Sequence, residues 1–372
     1  MAPPDAYTPR LINQLQGYTS IVAGHVEAAP GVAYMELARP HRHNSFHEEL
    51  WDEFPRALQQ LDAHQDTRVI VVAAQGKNFC AGIDVGYLQR NFAAMTSSSA
   101  PATAATSPAV ASTATAGESA AAAAAATSGR AEPCPGAQRA AMRRNILYLQ
   151  DAYSELERCR APVIAAVQGR CIGGGVDLIT ACDIRICSQD ASFCVKEVDL
   201  AIAADLGTLQ RLPHVVGHGV AIDLALTART VDAAEARHIG LVSTVVPFTA
   251  DVAASTGNDS PGRVAVVAAA LQLARVIASK PQLAVQGTKR VLLHARDQPR
   301  VADGLDYVAT WNSAQLITHD LTTRILLGGT VNVIPRQLRR QACSPTRQSS
   351  MGSCSTWETR SGSSTTPDSP TR

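Results

Sequence analysis

The sequence lacks three features that would assign a protein to a class at once: a strong net charge, a long apolar run and paired cysteines. Its 33 basic and 32 acidic residues give a net charge of +1, which provides no electrostatic basis for binding nucleic acid or an anionic membrane. No apolar run approaches the roughly 18 residues that span a bilayer. The nine cysteines lack metal-ligand spacing. We therefore expect no metal, no nucleic-acid partner and no membrane partner, and buried, reduced cysteines.

Recognisable targeting signals are also missing from the two ends. The first 18 residues, MAPPDAYTPRLINQLQGY, have no hydrophobic signal core, and their one arginine makes a poor mitochondrial presequence. The last three residues, Pro370, Thr371 and Arg372, do not form a peroxisomal address of the SKL type. The sequence by itself therefore leaves the compartment undecided.

What the sequence does contain is centred on residues 162–205. This stretch opens with the apolar run 163–167, which is too short for a helix and predicts a buried strand. Three consecutive glycines follow, at residues 173–175, and precede the apolar segment VDLITAC, which predicts a helix. Glycines let backbone N–H groups approach a ligand closely, and a helix N-terminus favours negative charge. The same stretch contains three carboxylates: Asp177, Glu197 and Asp205.

Strands are also predicted before this central stretch. Residues 20–26 and 32–37 alternate on either side of a Pro-Gly pair, which predicts two antiparallel strands joined by a turn. Residues 68–75 are rich in Val and Ile and predict a third strand. This third strand leads directly into the motif GKNFCAGIDV.

Helical patterns occur on both sides of the central stretch. Ser45 with Glu48 three residues later fits a capping box, which predicts a helix over residues 46–63 that Pro55 interrupts. Before the central strand, four side chains recur at helical spacing and are assigned to the core: Ile146, Leu149, Tyr153 and Leu156. Further helices are predicted in GTLQRLPHVVG, VAIDLALTA and AAEARHIG and at residues 264–279, 283–295 and 300–323.

Two segments do not have the composition of a folded domain. Residues 96–129 consist mainly of Ala, Ser, Thr and Pro, including seven consecutive alanines from Ala120, and predict a low-complexity insertion. From Val331 onwards, Ser, Thr and Arg dominate and predict a disordered tail. The predicted organisation is an N-terminal extension (1–17), a first core part (18–95), the insertion (96–138), a second core part with the active site (139–250), a C-terminal helical region (262–330) and the tail (331–372).

The stretch IGGGVDLITACDIRICSQDASFCVKEVDL, followed by GTLQRLP, closely resembles the crotonase superfamily of enoyl-CoA hydratases and isomerases. Within it, the chain looks most like the Δ3,5-Δ2,4-dienoyl-CoA isomerases, to which GLDYVATWN at residues 304–312 is also similar. The resemblance covers roughly residues 18–323 with one insertion. It implies an α/β fold with a ClpP/crotonase-like ββα spiral core and a C-terminal helical oligomerisation region. It further implies a trimer or hexamer in a mitochondrial or peroxisomal matrix.

The resemblance also assigns backbone groups to a substrate site. The N–H groups of Ile83 and Gly174 match the two donors of the family's oxyanion hole, which holds the thioester oxygen. Arg42 lies in the segment that lines the coenzyme A phosphates in the family, although a solvated loop remains open for it. A helix cap is favoured over catalysis for Asp84. The residues assigned to substrate binding are Ala81, Gly82, Ile83, Asp84, Val85, Gly174 and Arg42.

The three carboxylates match the isomerase pattern of the family. Hydratases carry glutamate at the positions of Asp177 and Glu197 and glycine at that of Asp205, so the resemblance argues against simple hydration. It implies that Glu197 takes the C2 proton and Asp205 protonates C6, with the two labels exchangeable, while Asp177 supports the pair. No cofactor is implied beyond the coenzyme A of the substrate. The structural alternative is that these acids cap helices or pair with nearby cations, Lys196 and Arg185.

Two other functions remain open from the sequence. An enoyl-CoA hydratase is the enzymatic alternative because acids occupy the positions of Asp177 and Glu197. A non-catalytic crotonase-fold binding protein, such as the RNA-binding relatives, is motivated by the insertion and the unusual tail. In the C-terminal helices, Lys289 and Arg290 are interpreted either as a solvated face or as a contact to a neighbour's coenzyme phosphates.

Overall fold

The computed structural model describes residues 8–96, 134–249 and 260–315. Most of the predicted insertion, the whole predicted tail and the end of the helix predicted for 300–323 lie outside these residues. Within them, strands and helices alternate along most of the chain, in the order expected for an α/β protein.

The described strands form two sheets. In the larger sheet, the neighbouring strands are, in spatial order, β1 (Leu11–Ile12), β2 (Ile21–Val26), β3 (Val32–Leu37), β4 (Val69–Ala74), β5 (Val163–Val167), β7 (Ile184–Ser188) and β10 (Thr244–Val246). The smaller sheet contains β6 (Arg170–Ile172), β8 (Ser192–Cys194) and β9 (Val231–Asp232). From β3 to β10 every pairing in the larger sheet is parallel, whereas β1, β2 and β3 pair antiparallel.

Ten α-helices and two short 3₁₀ turns complete the described residues. The helices are α1 (Glu48–Ala63), α2 (Val85–Thr96), α3 (Pro135–Arg158), α4 (Gly174–Ala181), α5 (Thr208–Val216), α6 (His218–Thr227), α7 (Ala233–His238), α8 (Pro261–Ala278), α9 (Gln282–Asp297) and α10 (Val301–Gln315). The 3₁₀ turns are η1 (Pro40–Arg42) and η2 (Glu197–Leu200).

The chain passes repeatedly from the larger sheet to the smaller one and then into a helix. Strand β5 leads through β6 into α4, and β7 leads through β8 into η2. Earlier turns of this spiral are marked by single parallel bridges, one joining Cys80 to Cys171 and another joining Phe46 to Ile83. The predicted ββα spiral is therefore present, and it brings the ends of successive turns side by side.

Both faces of the larger sheet are buried. In β4, Ile70, Val72 and Ala74 pack into one apolar cluster with α1 and α3, while the alternating residues pack into a second cluster with α8. Side chains on a strand point alternately to opposite faces, so a strand covered on both sides needs an apolar residue at every position. This explains why the central strands are continuous apolar runs in the sequence.

One described helix has the length and apolar composition of a membrane-spanning segment. The search for an uninterrupted apolar run missed it because its sequence contains charged residues. This helix is α8, whose apolar sequence contains Arg263 and Arg275. Its face formed by Val266, Ala270 and Ala274 packs against the larger sheet. Its apolar character is accounted for by the sheet that it covers.

Most predicted elements are confirmed, but the capping box is wrong. Helix α1 begins at Glu48, with His47 at its N-cap and no side-chain cap. The Ser45 hydroxyl instead lies 3.4 Å from Asp84 Oδ2 and is engaged with that distant carboxylate. The helix then continues through Pro55 to Ala63.

The interpretation of Lys289 as a solvated or neighbour-binding side chain is also wrong. Lys289 is buried, and its Nζ lies 2.8 Å from Asp183 Oδ2. It also donates to the carbonyl oxygens of Leu156 and Ala161. These bonds fix α9 to the end of α3 and to the start of β7. Among the described cysteines, all are free thiols and all but Cys134 are buried, as expected.

Candidate active site

The glycine turn before α4 forms the centre of the candidate site. Gly173 has φ +53°, in the left-handed region that favours glycine, and it is the N-cap of α4. A Cβ on Gly173 would lie 3.2 Å from Oε1 of Glu197, so the carboxylate packs directly on the glycine backbone. Every residue of α4 is buried. The helix therefore presents its N-terminus inside the protein, where its dipole is little screened.

The Gly82–Ile83 segment lies against this helix start. Gly82 has φ +89°, and a Cβ added to it would lie 2.9 Å from the Ile172 carbonyl oxygen and 3.4 Å from the Gly174 nitrogen. A Cβ on Gly174 would in turn lie 3.6 Å from Cγ1 of Ile83. Only glycine fits at such an approach of two backbones. The structure therefore brings together the two segments predicted to supply the oxyanion donors.

The two predicted donor groups are free. Within the described parts of the chain, neither the Ile83 N–H nor the Gly174 N–H donates a hydrogen bond. The Ile83 N–H is left free because Phe46 makes its two backbone hydrogen bonds with the neighbours of Ile83. Phe46 N donates to Gly82 O, and Asp84 N donates to Phe46 O. The Gly174 N–H is one of the unsatisfied donors that begin any helix. Unused rigid donors of this kind are what an oxyanion needs.

Asp177 is the first of the three acids and lies in the first turn of α4. It is 1% exposed, and its Oδ1 accepts a hydrogen bond of 2.6 Å from the Thr208 N–H at the start of α5. Burial raises its pKa to about 6, against the opposing effect of that hydrogen bond. The aspartate therefore links two helices while remaining close to changing protonation state near neutral pH.

Glu197 is the second acid and opens η2. Its side chain is buried against Gly173, and its Oε2 has no hydrogen-bond partner among the described residues. Burial and, after it, the negative charge of Asp177 together raise its pKa to about 7. A glutamate in this state exchanges a proton readily at physiological pH, as a general base or acid must.

Asp205 is the third acid and lies in the connection between η2 and α5. It is half-buried, and burial raises its pKa. Its backbone carbonyl accepts a 2.6 Å hydrogen bond from Gln150 Nε2 on α3. Its charge also contributes to the raised pKa values of Asp177 and Glu197, so the three carboxylates act on one another.

The cations that the sequence offered as partners do not neutralise these acids. Lys196 pairs with Asp199, and Arg185 donates to the backbone carbonyls of Ile179, Cys182 and Leu241. Among the described residues, no lysine, arginine or histidine forms an ion pair with any of the three acids. The structural alternative of ordinary ion pairing is therefore wrong for these residues.

Asp84 has the local role that was favoured for it. Its Oδ1 accepts hydrogen bonds from the N–H groups of Gly86 and Tyr87, which caps α2, and its Oδ2 pairs with Arg39 at 3.0 Å. Opposing burial, these bonds hold the pKa of Asp84 below its usual range. Asp84 is therefore a fixed anion in this conformation. Val85, the first residue of α2, is 64% exposed.

A cavity of about 240 Å³ adjoins the Gly82–Gly174 contact. Ala81 and Ile172 line it, together with four polar residues: His43, from the same basic cluster of the sequence as Arg42, and Lys77, Asn78 and Arg170, to which the sequence assigned no role. Arg42 is exposed and is not among the lining residues, so its role at a phosphate stays a prediction. The basic cluster around Arg42 and the position of Lys77 in GKNFCAGIDV were the signals available for this basic cavity.

A spiral of ββα turns whose helix N-terminus, paired backbone donors and unpaired carboxylates meet at one point is the architecture of crotonase-type acyl-thioester enzymes. The family model for enoyl-CoA hydratase/isomerase matches residues 27–131 and 115–307, and the chain belongs to this family.

Within this family, the chain is similar to the following individual proteins. The peroxisomal Delta(3,5)-Delta(2,4)-dienoyl-CoA isomerase of Arabidopsis thaliana is 40% identical over 84% of this chain and 94% of its own length. The mitochondrial isomerase of the same name from Homo sapiens is 38% identical over 79% of this chain and 75% of its own. A solved structure of a putative enoyl-CoA hydratase from Thermobifida fusca in complex with CoA is 29% identical, with a TM-score of 0.58 over 80% of this chain and 93% of that chain.

Proposed function

We propose that this protein isomerises 3,5-dienoyl-CoA thioesters to 2,4-dienoyl-CoA in the oxidation of unsaturated fatty acids. The observation that carries the proposal is that, among the described residues, three acids without cation partners lie beside two unused backbone donors. The names of the Arabidopsis and human relatives support the same reaction.

The chemistry follows from the order of charges along the substrate. The N–H groups of Ile83 and Gly174 bind the thioester oxygen and stabilise negative charge there, which makes the C2 proton removable. Ionised Glu197 takes that proton, and the resulting dienolate carries its charge to C6. Protonated Asp205 then donates its proton to C6 and becomes ionised. No electrons leave the substrate, so the proposed reaction needs no redox cofactor, and in it the two N–H donors stabilise the charge that a metal ion would otherwise have to stabilise.

Opposite protonation states are needed at Glu197 and Asp205 at the same time. After one turnover Glu197 holds a proton and Asp205 does not, so a proton must return to Asp205 before the next substrate reacts. We assign Asp177 a supporting role, since its negative charge raises the pKa of Glu197 and makes that carboxylate a stronger base towards the C2 proton.

The coenzyme A portion of the substrate has a matching surface. The cavity lined by Lys77, Arg170 and His43 adjoins the proposed oxyanion site and offers basic groups to the phosphates.

We also propose a homo-oligomer, a trimer or hexamer, since Leu292, Val301 and Leu305 expose large apolar side chains on α9 and α10. A mitochondrial or peroxisomal matrix location accords with the names of the relatives.

The decisive experiment is incubation with a 3,5-dienoyl-CoA. The proposal expects growth of the ultraviolet absorbance of a conjugated 2,4-dienoyl thioester in proportion to enzyme. Water addition to a 2-enoyl-CoA without this signal would identify a hydratase instead. Nucleic-acid binding with no turnover of any acyl-CoA would identify a non-catalytic binding protein.

The matched variant is Asp205→Asn. Because a general acid contributes about 10² to 10⁴-fold, the variant should lose that much turnover while it still binds a saturated acyl-CoA. Unchanged turnover would remove Asp205 from the mechanism and leave the isomerase assay of the wild type as the remaining test of the activity.

A further inference from the structure

Tyr153 has a buried hydroxyl group without a partner beside the proposed oxyanion site. The residue lies on α3 and is 0% exposed, and its hydroxyl has no hydrogen-bond partner among the described residues. The nearest atom to a Cβ built on Gly174 is this hydroxyl oxygen, at 3.1 Å. A buried hydroxyl without a partner is unfavourable compared with a phenylalanine at the same place, so a ligand that accepts its hydrogen bond is expected.

The aromatic ring holds the hydroxyl in a fixed position. The ring centroid of Tyr153 lies 5.3 Å from that of Phe46, 5.2 Å from that of Trp51 and 6.1 Å from that of Phe54. Rotation of the ring by half a turn leaves the hydroxyl oxygen where it is, so the side chain has no other direction in which to find a partner.

The same cluster also fixes the Ile83 N–H. Phe46, which packs on Tyr153, pairs through its own backbone with Gly82 and Asp84, the two residues that flank Ile83. Phe46 thus connects the Tyr153 ring to the segment that carries the Ile83 N–H, and the Gly174 nitrogen lies against Gly82 of that segment. Groups fixed in this way need no rearrangement when charge develops on a ligand.

The proton of the hydroxyl is available for donation. Burial raises the pKa of Tyr153 well above its ordinary value, and the charges of Asp177 and Glu197 raise it further. The group therefore stays protonated at neutral pH. The acceptor that the proposed reaction supplies next to Gly174 is the thioester oxygen, which becomes an anion during proton removal.

We propose that the Tyr153 hydroxyl is a third hydrogen-bond donor to the thioester oxygen, together with the N–H groups of Ile83 and Gly174. This inference rests on the proposed function, because it uses the same oxygen and the same site. It adds a side-chain donor whose strength, unlike that of a backbone N–H, can be changed by a single substitution.

The test is Tyr153→Phe, which removes one oxygen atom and keeps the ring in its cluster. Loss of one oxyanion donor typically costs about 10² to 10³-fold in turnover, and for one donor of three we expect a fall in kcat of about 10 to 100-fold. KM should change little, because the hydrogen bond strengthens as the oxygen becomes charged. The matched control is Tyr18→Phe, since Tyr18 is also a buried tyrosine, and its hydroxyl interacts with Arg56 on α1 rather than with the proposed site.

A spectroscopic measurement separates the donor role from a structural one and from the proposed reaction. The carbonyl stretch of a bound, ¹³C-labelled saturated acyl-CoA should lie at higher frequency in Tyr153→Phe than in the wild type, and Tyr18→Phe should match the wild type. An unchanged frequency together with unchanged kcat overturns the inference. A shifted frequency in a protein that fails to isomerise 3,5-dienoyl-CoA supports the donor and overturns the proposed reaction alone.

Discussion

Two glutamates, the partly buried Glu157 and the buried Glu197, lie in opposite electrostatic environments. Glu157 on α3 pairs with Arg211 at 2.8 Å and with Arg296, and although burial acts to raise its pKa, the two guanidinium groups hold it below the usual range. Glu197 has no cation partner among the described residues, and burial raises its pKa to about 7. The same residue type thus serves as a fixed anion in one region and as an exchangeable proton site in the other.

The paired region supports the unpaired one. Arg211, held by Glu157, also donates to the Leu206 carbonyl, and its guanidinium packs on the backbone of Gly207. The next residue, Thr208, donates its N–H to Asp177. A saturated ion-pair network therefore fixes the segment that carries Asp205 and that binds Asp177. The comparison teaches that the paired glutamate holds in place the segment on which the unpaired acids depend.

The largest expected effect is the loss of turnover in Glu197→Gln. Because the amide cannot accept the C2 proton, kcat should fall by about 10² to 10⁴-fold in the 2,4-dienoyl absorbance assay. Asp199→Asn, two residues away and paired with Lys196 at the surface, is the control and should stay within about twofold of the wild type. Equal turnover in Glu197→Gln and the wild type would show that the unpaired glutamate is not a catalytic base.

The second prediction concerns the paired glutamate. Glu157→Gln leaves Arg211 and Arg296 without their common carboxylate, and we expect the free energy of unfolding to fall by about 1–3 kcal/mol at pH 7. Since the pKa of Glu157 is lowered in the folded state, its contribution is present above the ordinary glutamate pKa and is lost as the pH falls through the lowered value. Chemical denaturation at pH 7 and at acid pH measures both statements. An equal difference at both pH values would contradict the ion-pair account.

The third prediction is that removing the charge of Glu197 stabilises the protein, whereas removing the charge of Glu157 destabilises it. The folded-state pKa of Glu197, about 7, lies above its ordinary value of 4.5, so the protonated form stabilises the fold at low pH and this contribution is lost as the pH rises through 7. Glu197→Gln should therefore unfold with a free energy about 1–3 kcal/mol higher than the wild type at pH 8. The difference should disappear at pH 4. A variant less stable than the wild type at pH 8 would contradict this account, because it would show that the ionised Glu197 carboxylate stabilises the fold.

The smallest expected effect is a displacement of the pH–rate profile. With Glu197 as base, kcat/KM should fall as the pH drops below about 7, because the base becomes protonated. Asp177→Asn removes a charge that raises this pKa, so the acid limb should move to lower pH by a fraction of a unit. An alkaline limb near pH 7 in place of the acid limb would exchange the roles of Glu197 and Asp205.

The sequence predicted those parts of the site that depend on neighbours in the chain. The strand β5, the glycine turn and α4 were visible because an apolar run, a glycine triplet and a second apolar run follow one another directly. The cap at Asp84 was visible because its partners, the N–H groups of Gly86 and Tyr87, are two and three residues away. Local patterns of this kind carry the information that local structure needs.

The parts that depend on distant residues were not visible. The capping box at Ser45 failed because Asp84, nearly forty positions further along, engages its hydroxyl. The burial of Lys289 could not be foreseen because its partner Asp183 belongs to a different part of the spiral. Tyr153 was assigned to the core by its helical spacing, which is correct for its ring but says nothing about where its hydroxyl lies.

The meeting of Gly82–Ile83 with Gly174 has a consequence for how activity is acquired. The two segments lie on opposite sides of residues 97–133, so no early fragment of the chain contains a working pair of donors. The contact forms when β6 pairs beside Cys80, and since Cys80 and Cys171 are far apart in the chain, this closure costs more chain entropy than the local pairings. We therefore expect activity to return during refolding only after most of the sheet has formed. The recovery of activity would then measure completion of the spiral rather than its first steps.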